Sequence, residues 1–421
     1  MRVAVIGTGI AGNVAAHHLH RAHEITVYEA DSRVGGHSHT RTVEQDGRSH
    51  EVDTGFIVYN ERTYPRFTAL LAKLGVETQP SRMSFSVRRE ADGLEYNGTS
   101  LNSLFAQRRN LLRPSFLGMV RDILRFNREA VSLCEGAPGD RPLGELLERA
   151  RYGRAFIDNY IIPMGAAIWS TEPRAMLDFP VRFFVRFLDN HGMLTVNERP
   201  VWRTIRGGSA RYVDKLVAPF RDRIRTSTPA EWLRRVPGGV MVKARGADPA
   251  RFDAAFVACH SDQALALLAD PSSAERAVLG AIRFQRNVAL LHTDARLMPR
   301  RPLAWAAWNY HVLPKANGPV ALTYDMNILQ GLDAQRHFLV TLNRPDAVDP
   351  RHVIERIEYD HPLFTPAAVA AQARHAELNR GSNTYFCGAY WRNGFHEDGV
   401  VSALAALRHF EDDRAGARRA A

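Results

Sequence analysis

Residues 2–6, Arg-Val-Ala-Val-Ile, form a short apolar run that stops at a glycine. A run this short, rich in β-branched residues, predicts a buried strand. Residues 10–22 follow with alanines and leucine at helical spacing, and residues 25–29 are again apolar with an acidic end. The order is strand, glycine turn, helix, strand, which is a βαβ unit. Further on, residues 64–75 predict a helix that ends at Gly75. From 101 to 133, Leu104, Leu111, Leu112, Phe116, Met119, Ile123, Leu124 and Phe126 recur among arginines, and Pro114 divides the stretch into two helices. Gly136, Pro138, Gly139 and Pro142 predict a surface loop. Helices are expected over 143–160 and 180–190, and after Gly207–Gly208 over 209–220. Residues 252–258 read as one strand and 261–268 as the helix after it. Runs between 281 and 342 alternate apolar and polar residues, as an antiparallel sheet requires. A short strand at 385–387, a closing helix at 400–410 and a frayed tail complete the reading.

The first turn is Gly7-Thr8-Gly9-Ile10-Ala11-Gly12, a G-x-G-x-x-G, with Glu29 and Ala30 at the end of the next strand. The motif carries weight only in that context. Gly7 permits the tight turn, Gly9 lets a pyrophosphate approach the helix N-terminus, and Gly12 allows helix and strand to pack closely. Glu29 suits a ribose hydroxyl. NAD and FAD share these features, so the sequence that follows has to separate them.

That sequence is Asp31-Ser32-Arg33-Val34-Gly35-Gly36-His37. Its Arg33, Gly35 and Gly36 resemble the R-x-G-G continuation of the amine-oxidase-like flavoproteins. The resemblance implies FAD, held non-covalently, with Arg33, Gly35, Gly36 and His37 near its phosphates and the flavin edge. A guanidinium fork suits a pyrophosphate. Val52-Asp53-Thr54-Gly55-Phe56 is similar to the family's segment beside the isoalloxazine ring. Tyr385-Phe386-Cys387-Gly388-Ala389-Tyr390 and Gly394-Phe395-His396-Glu397-Asp398-Gly399-Val400 resemble its C-terminal strand and flavin-facing helix. The resemblance thereby implies Gly388, Asp398, Gly399 and Val400 as cofactor contacts. The family's usual acid after the Gly388 position is missing, since Ala389 and Tyr390 stand there; Glu397 or Asp398 is the expected substitute at the ribityl chain. Gly207-Gly208-Ser209 and residues 252–259 are similar to two further family segments. Residues 162–170 and the ending Cys-Gly-Ala-Tyr-Trp look like a bacterial branch that includes flavin-dependent desaturases of methyl-branched fatty acyl chains.

The implied fold is α/β plus α+β: a Rossmann-like FAD-binding domain with an interleaved substrate domain of antiparallel sheet and helices. The cofactor domain is expected from 1–75, 205–268 and 375–421, and the substrate domain from 76–204 and 269–374. A chain of 421 residues suits two cores better than one.

Composition adds a second theme. The net charge is +10, and the basic excess is arginine, because the lysines are only Lys73, Lys215, Lys243 and Lys315. This is either genomic bias or an attraction to anionic surfaces. No nucleic-acid motif is present, so an anionic membrane surface is the expected partner rather than nucleic acid. Arg108, Arg109, Arg113, Arg121, Arg125 and Arg128 lie among leucines and phenylalanines, which suits either an interfacial helix or a packed helix with a solvated face. Cys134, Cys259 and Cys387 form neither a disulfide framework nor a zinc pattern, and no metal is expected. Without a signal peptide or an apolar run long enough to span, the expected location is cytoplasmic, peripheral at the inner face of the cell membrane. Oligomeric state is not specified by the sequence.

Flavin chemistry leaves the substrate open. The first reading is desaturation of a long apolar acyl chain; the others are oxidation of an amine and an electron-carrying partner without a substrate channel. A lipid needs an apolar channel, whereas an amine favours a cage, often with a lysine by the flavin. Phe179, Phe183, Phe184, Phe187 and Leu188 on one helical stretch, with Trp305, Trp308, Tyr310 and Tyr324, favour the channel, although each alone reads more readily as ordinary core. Lys315 falls in a Pro/Asn/Gly loop away from any flavin motif. His37, His39, His191, Tyr310, His311, Tyr324 and His396 are candidate bases. His396 and Tyr390 stand out by their motif, and His396, Tyr390, Tyr310 and Tyr324 form the catalytic set. His17, His18, His20 and His23 read as a solvated helix face.

Overall fold

The computed structural model describes residues 1–135, 141–195, 199–314 and 318–420. Its central sheet is parallel and five-stranded, in the order Ile224–Arg225, Glu24–Tyr28, Arg2–Ile6, Ala254–Val257, Thr384–Phe386. These strands come from the start, the middle and the end of the chain. They read as near-continuous apolar runs because both faces are covered. The Ile10–Leu19 helix, the Ala210–Val217 helix and the long His396–Ala420 helix cover one face through Val14, Leu216 and Ala403. A three-stranded sheet, Ala230–Val236, Gly239–Ala244 and Ala250–Phe252, covers the other with Leu233 and Val240.

A second sheet of seven strands runs in the order Val353–Pro362, Phe284–His292, Leu339–Leu342, Leu322–Asp325, Trp308–Val312, Phe85–Arg89, Leu94–Asn97. It is antiparallel except where Trp308–Val312 lies parallel to Phe85–Arg89. Helices between Pro114 and Asn190 pack on it through Phe116, Phe126, Phe156 and Phe184. The protein is therefore a mixed α/β chain with a Rossmann-like half and an antiparallel half.

Several boundaries differ from the sequence reading. The 252–258 strand is two strands: Asp253, whose N–H donates to the Arg2 carbonyl at 2.8 Å, separates an edge of the three-stranded sheet from the central sheet. The 143–160 helix breaks after Arg149 because Arg151 is left-handed at φ 52°, and a π turn over Ile157–Ile161 leads into Ile162–Trp169. Residues 101–133 hold a short helix Leu101–Leu104, a 3₁₀ turn Arg108–Leu112 and the helix Pro114–Glu135. The last helix keeps helical backbone to Ala420 instead of fraying. His17 is not on a solvated face: it is buried, with Nδ1 3.0 Å from the Leu216 carbonyl oxygen. The expected loop over 136–142 and Lys315 lie largely outside the described residues.

Candidate active site

The glycine fingerprint makes a turn whose shape each glycine explains differently. Gly7 has φ +99°, and a Cβ there would meet the Ala258 carbonyl oxygen at 2.8 Å. A Cβ on Gly12 would stand 2.0 Å from the Gly7 carbonyl oxygen, so helix and strand touch there. Gly9 is the exception: nothing lies within 4 Å of a Cβ placed on it. It begins the Ile10–Leu19 helix, and no side chain caps that end. The helix N-terminus, with its free N–H groups around Ile10 and Ala11, opens on space suited to a pyrophosphate.

Beside it, the Glu29 carboxylate is fixed by the N–H groups of Thr8 and Asp31, each donating at 2.8 Å. Lone pairs remain for ribose hydroxyls, and Ala30 next to it is exposed. Gly35 donates its N–H to the Thr8 carbonyl at 3.1 Å, and a Cβ on Gly36 would lie 3.1 Å from the Gly9 Cα. The two glycine turns are thus back to back. Arg33, half-buried, donates to the Gly36 carbonyl at 2.7 Å and so stiffens its own turn.

The turn then runs beside residues 54–56. Thr54 N–H donates to the His39 carbonyl at 2.9 Å and Phe56 N–H to the His37 carbonyl at 2.8 Å. A Cβ on Gly55 would be 2.2 Å from the His37 carbonyl oxygen, which is why a glycine stands there. Under this hairpin Asp53 is fully buried, accepting from Thr40 Oγ1 at 2.6 Å and from Ser209 N–H and Oγ at 2.8 Å. Burial pushes its pKa up to about 7 despite those bonds. Gln330 from the antiparallel half donates to Asp53 at 3.2 Å and accepts from its N–H at 2.9 Å.

His37 faces the second sheet. Its ring stacks on Tyr359 at 4.7 Å and lies 5.4 Å from His361 and 6.5 Å from His260. Burial first, and then the neighbouring imidazoles, hold His37 well below the usual histidine range; burial brings His361 to about 4. Tyr359 and His361 sit two apart on the Val353–Pro362 strand and so share a face. Pro362 and Phe364, just beyond, pack on Gly394, where a Cβ would meet them at 3.4 and 3.2 Å.

From Phe364 an aromatic tract leads into the helices. Phe183 stacks on Phe364 at 5.1 Å, Trp169 lies 4.6 Å from Phe179 and 4.7 Å from Phe187, and Phe187 stacks on Phe395 at 5.1 Å. Trp169 Nε1 donates to the Asn393 carbonyl at 3.1 Å, which ties the tract to the segment before the last helix. Ser170 next to it is left-handed at φ 50°.

The catalytic set named from the sequence does not converge. His396 is buried beneath the hairpin, stacked on Phe56 at 3.5 Å, with Nε2 2.9 Å from Ser38 Oγ and 3.0 Å from Tyr212 Oη. Burial lowers its pKa to about 3, so it fastens the last helix to the glycine turn. Tyr390 lies in the core below the central sheet with Trp391 and Ala4, and Tyr310 in the core of the second sheet, 6.4 Å from Phe85. Tyr324 lies 5.2 Å from Trp308 on the neighbouring strand. Burial raises all three phenols. His39, at about 4, bonds Thr54; His191, at about 4, stacks on Phe187 at 3.8 Å; His311, at about 3, bonds Thr323.

The acids expected at the ribityl chain are held by backbone N–H groups. Glu397 accepts from the N–H groups of Arg66 and Phe67 at 3.1 and 2.8 Å, capping the Pro65–Lys73 helix. Asp398 accepts from Asn393 and Phe395 N–H at 3.2 and 3.0 Å, and burial lifts its pKa to about 7. Both carboxylates accept from backbone donors that flank the start of the last helix, each with lone pairs left over. A Cβ on Gly399 would meet Ile10 Cγ2 at 2.6 Å, and Val400 is core, so these two pack the last helix on the first. Gly388 lets the Tyr390 ring close over the strand end, where a Cβ would clash at 2.4 Å. His260, Tyr359, His361 and Phe364 were not singled out from the sequence; the signal for Tyr359 and His361 was their i, i+2 spacing.

Residues 10–291 match the family model for flavin-containing amine oxidoreductases. The chain belongs to that family. Its members' cofactor is FAD, and the cradle around Gly9, Glu29 and Gly36 fits a non-covalently held dinucleotide. This flavin-containing amine oxidoreductase shares its fold with cyclohexylamine oxidase from Brevibacterium oxydans IH-35A, at TM-score 0.69 and 15% identity over 98% of this chain and 99% of that one. A putative protoporphyrinogen oxidase from Exiguobacterium sp. 255-15 aligns at TM-score 0.68 and 18% identity over 97% and 98% of the two chains. A CLA-producing fatty acid isomerase from P. acnes aligns at 0.67 and 17% over 97% and 98%. No curated protein matches by sequence. The protein is an FAD-dependent oxidoreductase, and among the described residues no helix is long and apolar enough to cross a membrane.

Proposed function

We propose that this oxidoreductase removes two hydrogens from a long, apolar acyl chain, methyl-branched and carried in phospholipid, to leave a carbon–carbon double bond. The cofactor half in this reading is 1–75, 205–268 and 375–421, and the substrate half is 76–204 and 269–374. The observation that carries it is the tract Phe183–Phe364–Trp169–Phe187–Phe395, which ends at the segment before the last helix. None of the three described lysines joins it: Lys215 and Lys243 donate to the carbonyls of Gly75 and Ala247, and Lys73 ends the second helix. Glu397 is held by the N–H groups of Arg66 and Phe67, and Asp398 already pairs with Arg392. That the same fold serves a fatty acid isomerase is compatible with an acyl substrate.

Bound FAD supplies the hydride acceptor. The chain's residues do the rest. The rings of Trp169, Phe183 and Phe364 hold methylene groups and exclude water. The Tyr324 phenol, kept protonated by burial, donates a hydrogen bond to an ester or carboxyl oxygen. The proton that accompanies the hydride leaves to a nearby base or water.

An amine substrate is the second reading, favoured by the family match and by the aromatic enclosure, which also suits a cation. Lipid mass spectrometry of cells with and without the gene separates them. The acyl reading expects lipids lighter by two hydrogens in expressing cells; an unchanged lipid profile opposes it.

A further inference from the structure

Pro114–Glu135 buries one side through Phe116, Met119, Phe126 and Ala130 and leaves Leu117, Leu124 and Val131 exposed on the other. These three are seven apart, two helical turns, and so form one stripe. Arg121 and Arg128 fall on the same stripe, with side chains 78% and 75% exposed. The stripe continues into the preceding turn, where Leu112 is 87% exposed, and to Leu101, which is 77% exposed. The Leu101–Leu104 helix packs beside Pro302–Ala304, which adds exposed Leu303 and the exposed Arg300 and Arg301. Arg108 and Arg109, also exposed, bond only Asn102 and main-chain carbonyls among the described residues.

Leucines of this exposure are solvated at a cost unless something covers them. The carboxylates near the patch do not balance its arginines: Asp122 pairs with Arg121, Glu129 with Arg128, and Asp92 with Arg89 and Arg113, which leaves the guanidinium groups of Arg108, Arg109, Arg300 and Arg301 with no carboxylate partner among the described residues. A second copy docked by two-fold symmetry would bring the same arginines against one another. The combination of protruding leucines ringed by unbalanced arginine matches an anionic bilayer surface, where leucines enter the acyl boundary and guanidinium groups meet phosphate.

We propose that residues 101–131 with 300–303 form the surface by which this protein docks on anionic phospholipid. The helix packs on Val181–Asn190, whose Phe183 and Phe187 wall the aromatic tract, so docking presents that tract to the bilayer. The inference deepens the acyl-chain reading of the site, and its test needs no turnover, so each fails separately.

The test is co-sedimentation of the FAD-loaded protein with phosphatidylglycerol/phosphatidylcholine vesicles and with phosphatidylcholine vesicles, at low and high salt. Binding is expected only to the anionic vesicles and should fall at least ten-fold as salt rises. The pair Leu101→Ser and Leu112→Ser, and separately Arg108→Glu with Arg109→Glu, should each lose at least ten-fold while retaining flavin colour, which reports folding. Equal binding to both vesicle types, no binding, or undiminished binding by the variants overturns the proposal. So does size-exclusion chromatography in which the wild type is a dimer and the leucine pair a monomer, since a second copy then covers the face.

Discussion

Gly9 and Gly12 lie three residues apart in one motif, yet substituting each should fail differently. Gly9 has φ −63° and ψ 177°, a backbone that alanine adopts freely, and its Cβ would enter open space. Gly9→Ala should leave the apoprotein within about 1 kcal/mol of the wild type, and on the stabilising side, because alanine restricts the unfolded chain. Its methyl stands where a pyrophosphate meets the helix N-terminus. Displacing the phosphate forfeits one or two charged hydrogen bonds of about 1.5–3 kcal/mol each, so Kd for FAD should rise roughly a hundred-fold. Gly12→Ala places its methyl 2.0 Å from the Gly7 carbonyl oxygen. Backbone must move, at a cost of about 1–3 kcal/mol or more, whether or not cofactor is present. Thermal denaturation of the apoproteins and FAD titration by flavin fluorescence separate the two effects. Wild-type FAD affinity in Gly9→Ala would refute the assignment of this turn to the pyrophosphate.

Three further outcomes follow from the same geometry. Trp169→Ala should cost about 3–5 kcal/mol, as removal of a buried indole does, whereas Trp169→Phe should lose only about 1 kcal/mol with the Asn393 bond, both read by chemical denaturation. Acid should destabilise the fold, because burial holds His191, His292, His311, His361, His375 and His396 at about 3 or 4. The unfolded chain takes those protons first, so stability is present above about 6.5 and is lost as pH falls toward 4. Asp53 and Asp398, raised to about 7, oppose this between about 4 and 7, but two groups do not offset six; a Tm at pH 5 equal to that at pH 7 would contradict it. Asp53→Asn should remove one opposing group and steepen the fall in Tm on acidification, with a modest loss at pH 7 from an amide facing Gln330 Nε2; an unaltered pH profile would show that Asp53 does not titrate in this range.

The Rossmann half was legible because its signals are local. A five-residue strand with four apolar positions, a glycine turn and an acid after the second strand are all contiguous in sequence, and each appears where its spacing placed it. The strands Phe85–Arg89 and Leu94–Asn97 went unread, although Asp92-Gly93 between them is a hairpin turn and Gly93 is left-handed at φ +66°. Thr40–Gln45 and Arg48–Asp53 are joined in the same way by Asp46-Gly47. Site chemistry was harder because it depends on long-range pairing. Nothing adjacent to His37 reveals that Tyr359 and His361 will meet it. Glu397 and Asp398 read as free acids, and only the fold shows that backbone N–H groups from residues 66–67 and 393–395 donate to them. His396 looked functional by its motif, but Ser38, Tyr212 and Phe56 make it a fastening between the last helix and the glycine turn.

The most direct test of the substrate reading is anaerobic reduction of the bound flavin. The FAD-loaded protein is mixed, without oxygen, with phospholipids bearing branched saturated chains and with a panel of primary and cyclic amines, while flavin absorbance is followed. The account predicts bleaching by the acyl lipids, slowed at least ten-fold in Trp169→Phe with Phe364→Leu, and none by amines. Rapid bleaching by an amine, with no response to any acyl lipid, would contradict it and assign the aromatic tract to a cation.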